Sequence, residues 1–278
     1  MGDFALVTAV SLLKYQALGN DFLVALEGSG LADPPGREAV RRLCDRRRGV
    51  GADGLVLARP ARAAGRVRME LYNSDGGRAE TSGNGLRCLA LALFQAGRAG
   101  SGRLVIETDS GEVEAVIGPD GEVSVSMGEA RLGEQPPSPL EGFSARRVDV
   151  GNPHLVLQGA SLAGLELSSL GPRLEASVPG GQNVEFVRVG GPDSLEMVVW
   201  ERGAGLTAAC GSGSVAAAAA ARAAGLVGDR VSVENPGGRL LVELAGDKER
   251  PSAVLTGPAT RVARVEVEMD AAGELAAS

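Results

Sequence analysis

The sequence predicts an α/β (α+β) protein of two pseudo-symmetric, duplicated domains. Each is expected to be a β-barrel-like sheet wrapped around a central helix, with the active site in the cleft between them. Three observations predict this. Short motifs recur in the same order at a nearly constant offset. Each half repeats one succession of strands, glycine turns and an alanine-rich helix. Such helices pack closely enough for strands to wrap around them.

The repeat is visible in five matches. Gly19-Asn20-Asp21-Phe22-Leu23-Val24 matches Gly151-Asn152-Pro153-His154-Leu155-Val156, and Gly51-Ala52-Asp53 matches Gly181-Gln182-Asn183. Leu71-Tyr72-Asn73 aligns with Val199-Trp200-Glu201, and Ser82-Gly83-Asn84-Gly85 with Cys210-Gly211-Ser212-Gly213. Ser126-Met127-Gly128 closes the series against Leu255-Thr256-Gly257, and all offsets fall between 128 and 132 residues. The domains expected are 1–127 and 128–259, with a C-terminal strand in 260–278 returning to the first.

The elements follow in order. An extended stretch enters each Gly-Asn turn and a second leaves it, Phe22–Leu26 in one half and Leu155–Leu157 in the other. A strand then runs toward the Gly-rich motif, Val67–Tyr72 and Leu195–Trp200. Gly83 or Gly211 opens a helix, continued by Leu86–Ala96 and Val215–Ala224, which are rich in helix formers. Alternating strands with glycine turns come next: Leu104–Thr108, Gly111–Ile117 and Gly121–Met127, then Val231–Glu234, Gly237–Leu244 and Ala253–Thr256. The Pro/Glu-rich stretch 133–142 reads as the linker, and Val262–Met269 as the returning strand.

Composition removes several classes of function. Net charge is −7 and aromatics are 3% of the chain, which argues against a nucleic-acid surface. No apolar run reaches the roughly 18–20 residues of a membrane span. The N-terminus lacks the basic start and apolar core of a signal peptide. Three cysteines without metal or disulfide spacing suggest a reduced, cytoplasmic protein and no metal site. The only lysines are Lys14 and Lys248, and the only histidine is His154. Schiff-base chemistry on pyridoxal phosphate therefore has almost no candidates, and a Ser–His or Cys–His nucleophile would need His154. No cofactor is expected.

The two Gly-rich motifs point to chemistry. Each places a helix N-terminus, with unpaired N–H groups and partial positive charge, behind a small nucleophile-like residue, Ser82 or Cys210. Two such ends suit a carboxylate, since no phosphate loop accompanies them. A helix-cap thiol is expected to titrate below its usual value of roughly 8.5, toward 7, so Cys210 is expected to be partly thiolate. A thiolate can remove the α-proton of a bound amino acid, and a second acid on the opposite face can return it. The expected result is a cofactor-free racemase or epimerase.

The stretches GNDFLV, RRRGVGADG, YNSDG, SGNGLRC, VDVGNPH, QNVEF and WERGAGLTAACGSGS span nearly the whole chain. Together they resemble the diaminopimelate epimerase family. The resemblance implies catalysis by a pair of cysteines, one matching Cys210 and the other matching Ser82. It implies epimerisation of LL- to meso-diaminopimelate, a precursor of lysine and peptidoglycan. Asn20, Asn73, Asn152 and Asn183 match positions that hydrogen-bond the distal amino acid group. Glu201 and Arg202 match an acidic–basic pair, and Gly83, Asn84, Gly211 and Ser212 match helix-start donors to the reacting carboxylate. His154 matches a histidine near the substrate amine, beside Glu201. Gly54 and Leu206 depart from the family pattern, outside the reacting pair. The partner implied is a small amino-acid substrate, with no nucleic acid and no membrane; a homodimer is left open.

Several residues have plainer readings. Cys88 and Cys44 read as core, and Arg46, Arg47 and Arg48 as a helix end and surface face. Serine is also a good helix cap. An alcohol is a far weaker acid than a thiol, and microscopic reversibility requires whatever donates in one direction to accept in the other. Three functions follow: an epimerase slowed by Ser82, one-faced chemistry by Cys210 alone (a dehydratase or another isomerase), or a catalytically disabled amino-acid-binding variant.

Overall fold

The computed structural model describes residues 8–270 apart from 33, 62, 64, 80, 81, 101 and 137–139. Residues 1–7 of the N-terminus, 137–139 of the expected linker and 271–278 of the C-terminal segment thus lie outside the described residues. The chain divides into two compact units, Met1–Val123 with Ala259–Ser278, and Ser124–Pro258. The stretch 133–142 falls inside the second unit rather than between the two, and the division comes earlier, between Val123 and Ser124. The cause is local pairing: Ala130 and Leu132 donate backbone bonds to Pro251 and Glu249, and Gly133 to Arg147.

The first unit begins with β1 (Thr8–Ala17) and β2 (Asn20–Ala25), an antiparallel hairpin. Leu18 and Gly19 turn it with φ of 54° and 88°, the left-handed geometry that matches strand twist in two-residue hairpins. After α1 (Arg37–Cys44), β3 (Gly54–Pro60) lies parallel to β2, and β4 (Val67–Asn73) runs antiparallel to β3. The short β5 (Arg78–Ala79) leads into α2 (Gly83–Gln95), and β6 (Arg103–Thr108) and β7 (Gly111–Ile117) form a hairpin.

The second unit contains β8 (Val123–Glu129), β9 (Arg131–Leu132), β10 (Ser144–Asp149), β11 (Pro153–Gly159), α3 (Leu167–Glu175), β12 (Asn183–Gly191) and β13 (Ser194–Glu201). It continues with β14 (Gly205–Thr207), α4 (Gly211–Ala223), β15 (Arg230–Asn235), β16 (Gly238–Ala245) and β17 (Ser252–Gly257). The pairing grammar repeats: β11 is parallel to β12 as β2 is to β3, and β13 to β15 as β4 is to β6. The last strand, β18 (Thr260–Met269), pairs antiparallel with β1.

Helices α2 and α4 are the centres of the units. Every residue from Gly83 to Leu93 is buried, and α2 touches β1, β2, β3, β4, β7 and β18. In α4 the alanine run Ala216–Ala219 is fully buried and lies against β10 to β13 and β15 to β17. A helix apolar all round belongs inside, and small side chains let strands approach it from every direction. On the outer faces, α1 packs Val40 and Leu43 on Leu12, Leu23, Leu55 and Leu57, and α3 packs Leu174 near Leu155, Leu157, Val184 and Phe186. Each fully buried leucine contributes roughly 1.5–3 kcal/mol. Strand alternation therefore sorts side chains: Leu155, Val184 and Phe186 face α3, which leaves His154, Val156 and Glu185 on the α4 side.

Candidate active site

Both units end a sheet segment in the same helix cap. Ser82 (φ −115°, ψ 124°) caps α2, and its hydroxyl accepts a hydrogen bond from the Gly85 N–H at 3.2 Å. Cys210 (φ −123°, ψ 119°) caps α4, and its Sγ accepts from the Gly213 N–H at 3.4 Å. The first-turn amides beyond each cap, at Gly83 and Asn84 or Gly211 and Ser212, have no intrahelical acceptor and point toward the N-terminal end. A Cβ at Gly213 would stand 2.7 Å from Glu185 Oε1, so any larger residue there would displace that carboxylate.

In the first unit, Asn20 and Asn84 belong to one directed chain of hydrogen bonds. The Arg87 guanidinium, wholly buried in α2, donates to Asn84 Oδ1 at 2.7 Å. Asn84 Nδ2 donates to Asn20 Oδ1 at 3.2 Å, and Asn20 Nδ2 to Asp53 Oδ2 at 2.8 Å. Every step runs from the cation to the anion, which fixes both amide orientations. Arg46 anchors the far end, donating to Asp21 at 2.5 Å and Asp53 at 2.7 Å. The ion pairs with Arg46 and Lys14 outweigh the effect of burial on Asp21 and lower its pKa to about 2. Arg46, exposed just past the helix end, thus also buttresses the Gly-Asn turn. Asn73, exposed, ends β4 opposite Gly54.

In the second unit, Cys210 lies near two carboxylates. Its thiol is only 4% exposed, and its pKa is pushed well above the usual range. Burial is the main cause, followed by the charges of Glu201 and Glu185. The cap amide and Ser212 pull the other way and are outweighed. The expected partial thiolate is therefore corrected: at rest Cys210 keeps its proton, because desolvation and two nearby acids exceed what one helix end supplies. Burial also raises the pKa of Glu201, against hydrogen bonds from Thr207 and with Cys210.

His154 is buried, with Nδ1 2.7 Å from Glu185 Oε1 and Nε2 2.9 Å from Asn152 Oδ1. Its hydrogen-bonded carboxylate is thus Glu185 on β12, while the imidazole is a minor electrostatic influence on Glu201. Asn183 donates to the Pro153 carbonyl at 3.3 Å and accepts from the Arg202 N–H at 2.9 Å. Arg202 is exposed, and its guanidinium donates to the Gly180 carbonyl at 3.4 Å. Cys44 and Cys88 are buried thiols, each raised to about 12 by burial.

The diaminopimelate epimerase family model matches residues 12–133 and 146–262. A diaminopimelate epimerase from Desulforudis audaxviator is 41% identical over 271 residues, covering 90% of this chain and 96% of the relative. The chain belongs to the diaminopimelate epimerase family. Another family member, from Halorhodospira halophila, is 40% identical and covers 93% of this chain and 95% of its own length. Membership makes this protein an isomerase of the epimerase type. The fold recurs in more distant structures. A Bacillus anthracis phenazine biosynthesis protein of the PhzF family superposes with TM-score 0.74 at 17% identity, covering 93% of this chain and 99% of its own. A probable proline racemase from Agrobacterium radiobacter, solved with bound carbonate, gives 0.72 at 20% identity and covers 96% of both chains.

Around the family motifs, sequence reasoning passed over Glu185, Asp53, Arg87 and Thr207. Glu185 lay inside the quoted QNVEF stretch; a charged residue flanked by Val184 and Phe186 in a buried strand was the available signal. Arg87 similarly interrupts the apolar run of α2.

Proposed function

We propose that this chain converts LL-diaminopimelate to meso-diaminopimelate by taking the α-proton from one face and returning a proton to the other. Cys210 is the transferring group in the second unit, and Ser82 holds the equivalent place in the first. The observation that carries the reading is the shared cap geometry, one small polarisable or hydroxylated side chain per unit on a buried helix start.

In the donating direction, the Cys210 thiol gives its proton to the α-carbanion and becomes a thiolate. In the accepting direction Glu201 first takes the thiol proton, and the resulting thiolate takes the α-proton. Glu201 takes the proton in its ionised form, and burial, by raising its pKa, makes it a stronger base for the task. First-turn amides at Gly211 and Ser212 would stabilise the carboxylate as it gains enolate character. Asn20, Asn73, Asn152 and Asn183, with Arg202, are the residues proposed for the distal amino acid group. Lys14 is held by the Gly51 carbonyl and Asp21, at 2.6 and 2.9 Å, as a structural cation. Ser82, a weak acid, works through a water or a neighbouring group, so the reaction is slower than that of a two-thiol site.

Separate LL- and meso-diaminopimelate samples in D2O test this. Solvent deuterium at the α-carbon with inversion is expected from both isomers. Exchange with retention, or loss of water, would show one-faced chemistry, and no exchange would show a binding protein.

A further inference from the structure

We infer that Glu185 is a positioning residue of the site just proposed: its carboxylate locks the His154 ring with a proton on Nδ1, leaving Nε2 as the nitrogen that exchanges protons. The inference rests on that reading, together with the expectation from the family motifs that His154 lies near the substrate amine.

The fold puts the pair together. β11 and β12 are parallel neighbours with His154 in register with Asn183 and Val156 with Glu185. Alternation turns both polar side chains toward α4, away from the apolar layer under α3. Both side chains are completely buried, and Nδ1 and Oε1 are 2.7 Å apart. Glu185 Oε2 has no partner among the described residues. A buried ionisable group left half satisfied, inside a strand that would accept valine, is a costly feature. Space is also reserved for it: the missing Cβ of Gly213 would collide with Oε1 and stand 3.2 Å from Cγ.

The two partners of the ring are chemically unequal. A carboxylate only accepts, so the nitrogen facing Glu185 carries the proton. An amide can present either oxygen or NH2, so Asn152 can meet Nε2 whether or not it is protonated. Asn152 here presents Oδ1 at 2.9 Å, the partner of a protonated Nε2; a bare Nε2 is met by the same amide turned to present its NH2. The ring is therefore fixed on one side and adaptable on the other.

The chain's single histidine makes this directly measurable. Long-range 1H–15N correlation on the uniformly 15N-labelled full chain shows one imidazole. The expected spectrum has a protonated-type Nδ1. A wild-type spectrum with a bare Nδ1 and a protonated Nε2 overturns the inference, whatever the activity. Glu185→Gln keeps the volume but lets an NH2 face Nδ1. It should shift the proton toward Nε2 and lower kcat about 10²-fold, with a much smaller change in KM. Glu185→Asp, which retains an acceptor, should restore the Nδ1–H pattern and part of the rate. If Glu185→Gln retains its full rate or the wild-type spectrum, the positioning role falls. The deuterium exchange result would then stand on its own, so the two failures are distinguishable. Should Glu185→Gln fail to fold, the wild-type spectrum and the Asp variant still decide.

Discussion

Ser82 and Cys210 differ by one atom in nearly the same backbone geometry, so exchanging that atom is a clean test. Ser82→Cys should raise the rate of inversion by about 10²-fold or more, the usual size of a lost acid–base group. Cys210→Ala should abolish α-deuterium incorporation. Glu201 offers a second test, through stability. Its folded-state pKa is raised by burial. Any stability it contributes is therefore present below the ordinary carboxylate value and lost as pH rises through the folded one. Above the ordinary carboxylate range, the cost of ionising the buried group opposes folding. Glu201→Gln should thus show a higher Tm than wild type at pH 7–8, with the gap narrowing as pH falls toward 4, while turnover collapses. An unchanged Tm difference across that range would contradict the assignment. At this scale the helix-cap positions of Cys210 and Ser82 were legible because glycines frame them. The protonation state of Cys210 was not, because it depends on Glu185 and Glu201, brought to the thiol from two other strands.

Among elements, the hairpin of β1 and β2 is anchored by a network of charges. Asp21 bonds Arg46 from the turn after α1 and Lys14 from β1, and Arg46 bridges onward to Asp53 at the start of β3. The same Asp53 fixes Asn20. Because the Asp21 pKa falls to about 2, its stabilisation is complete above the usual carboxylate range and disappears as pH drops through about 2. Allowing for partial solvent screening, Asp21→Asn should cost about 1–2 kcal/mol at pH 7 in urea unfolding. The difference should vanish near pH 2. The main strands and the helices α2 and α4 were readable from alternation and helix-former content. Helix α3 was not, since Gly171-Pro172 interrupts its interior. Its reason lies outside the element: a Cβ at Gly171 would stand 2.3 Å from the Trp200 ring. The short strands β5, β9 and β14 also carry too few residues for a periodic signal.

For the molecule as a whole, the duplication was legible because the repeats keep their order; the linker-like composition of 133–142 was a weaker guide. The boundary expected at 127/128 compares with a division between Val123 and Ser124, while the linker-like stretch 133–142 lies inside the second unit, its start tied by Gly133 to the Arg147 carbonyl. The return of the chain has a sharper consequence. The first unit is discontinuous, closed by β18 along β1, while the second is one continuous segment. Both tyrosines, Tyr15 and Tyr72, are buried in the first unit, and the only tryptophan, Trp200, is in the second. The aromatics therefore report the units separately. Truncation after Pro258 removes β18 and leaves β1, which carries the fully buried Leu12 and Tyr15, as an open edge. The expected outcome is loss of the tyrosine near-UV signal and a large fall in cooperative β-sheet signal. The Trp200 fluorescence transition in urea should keep its midpoint. A Trp200 midpoint that falls together with the tyrosine signal would mean that the units unfold as one. The contiguous second unit would then draw its stability from the first, rather than from its own wrapped helix.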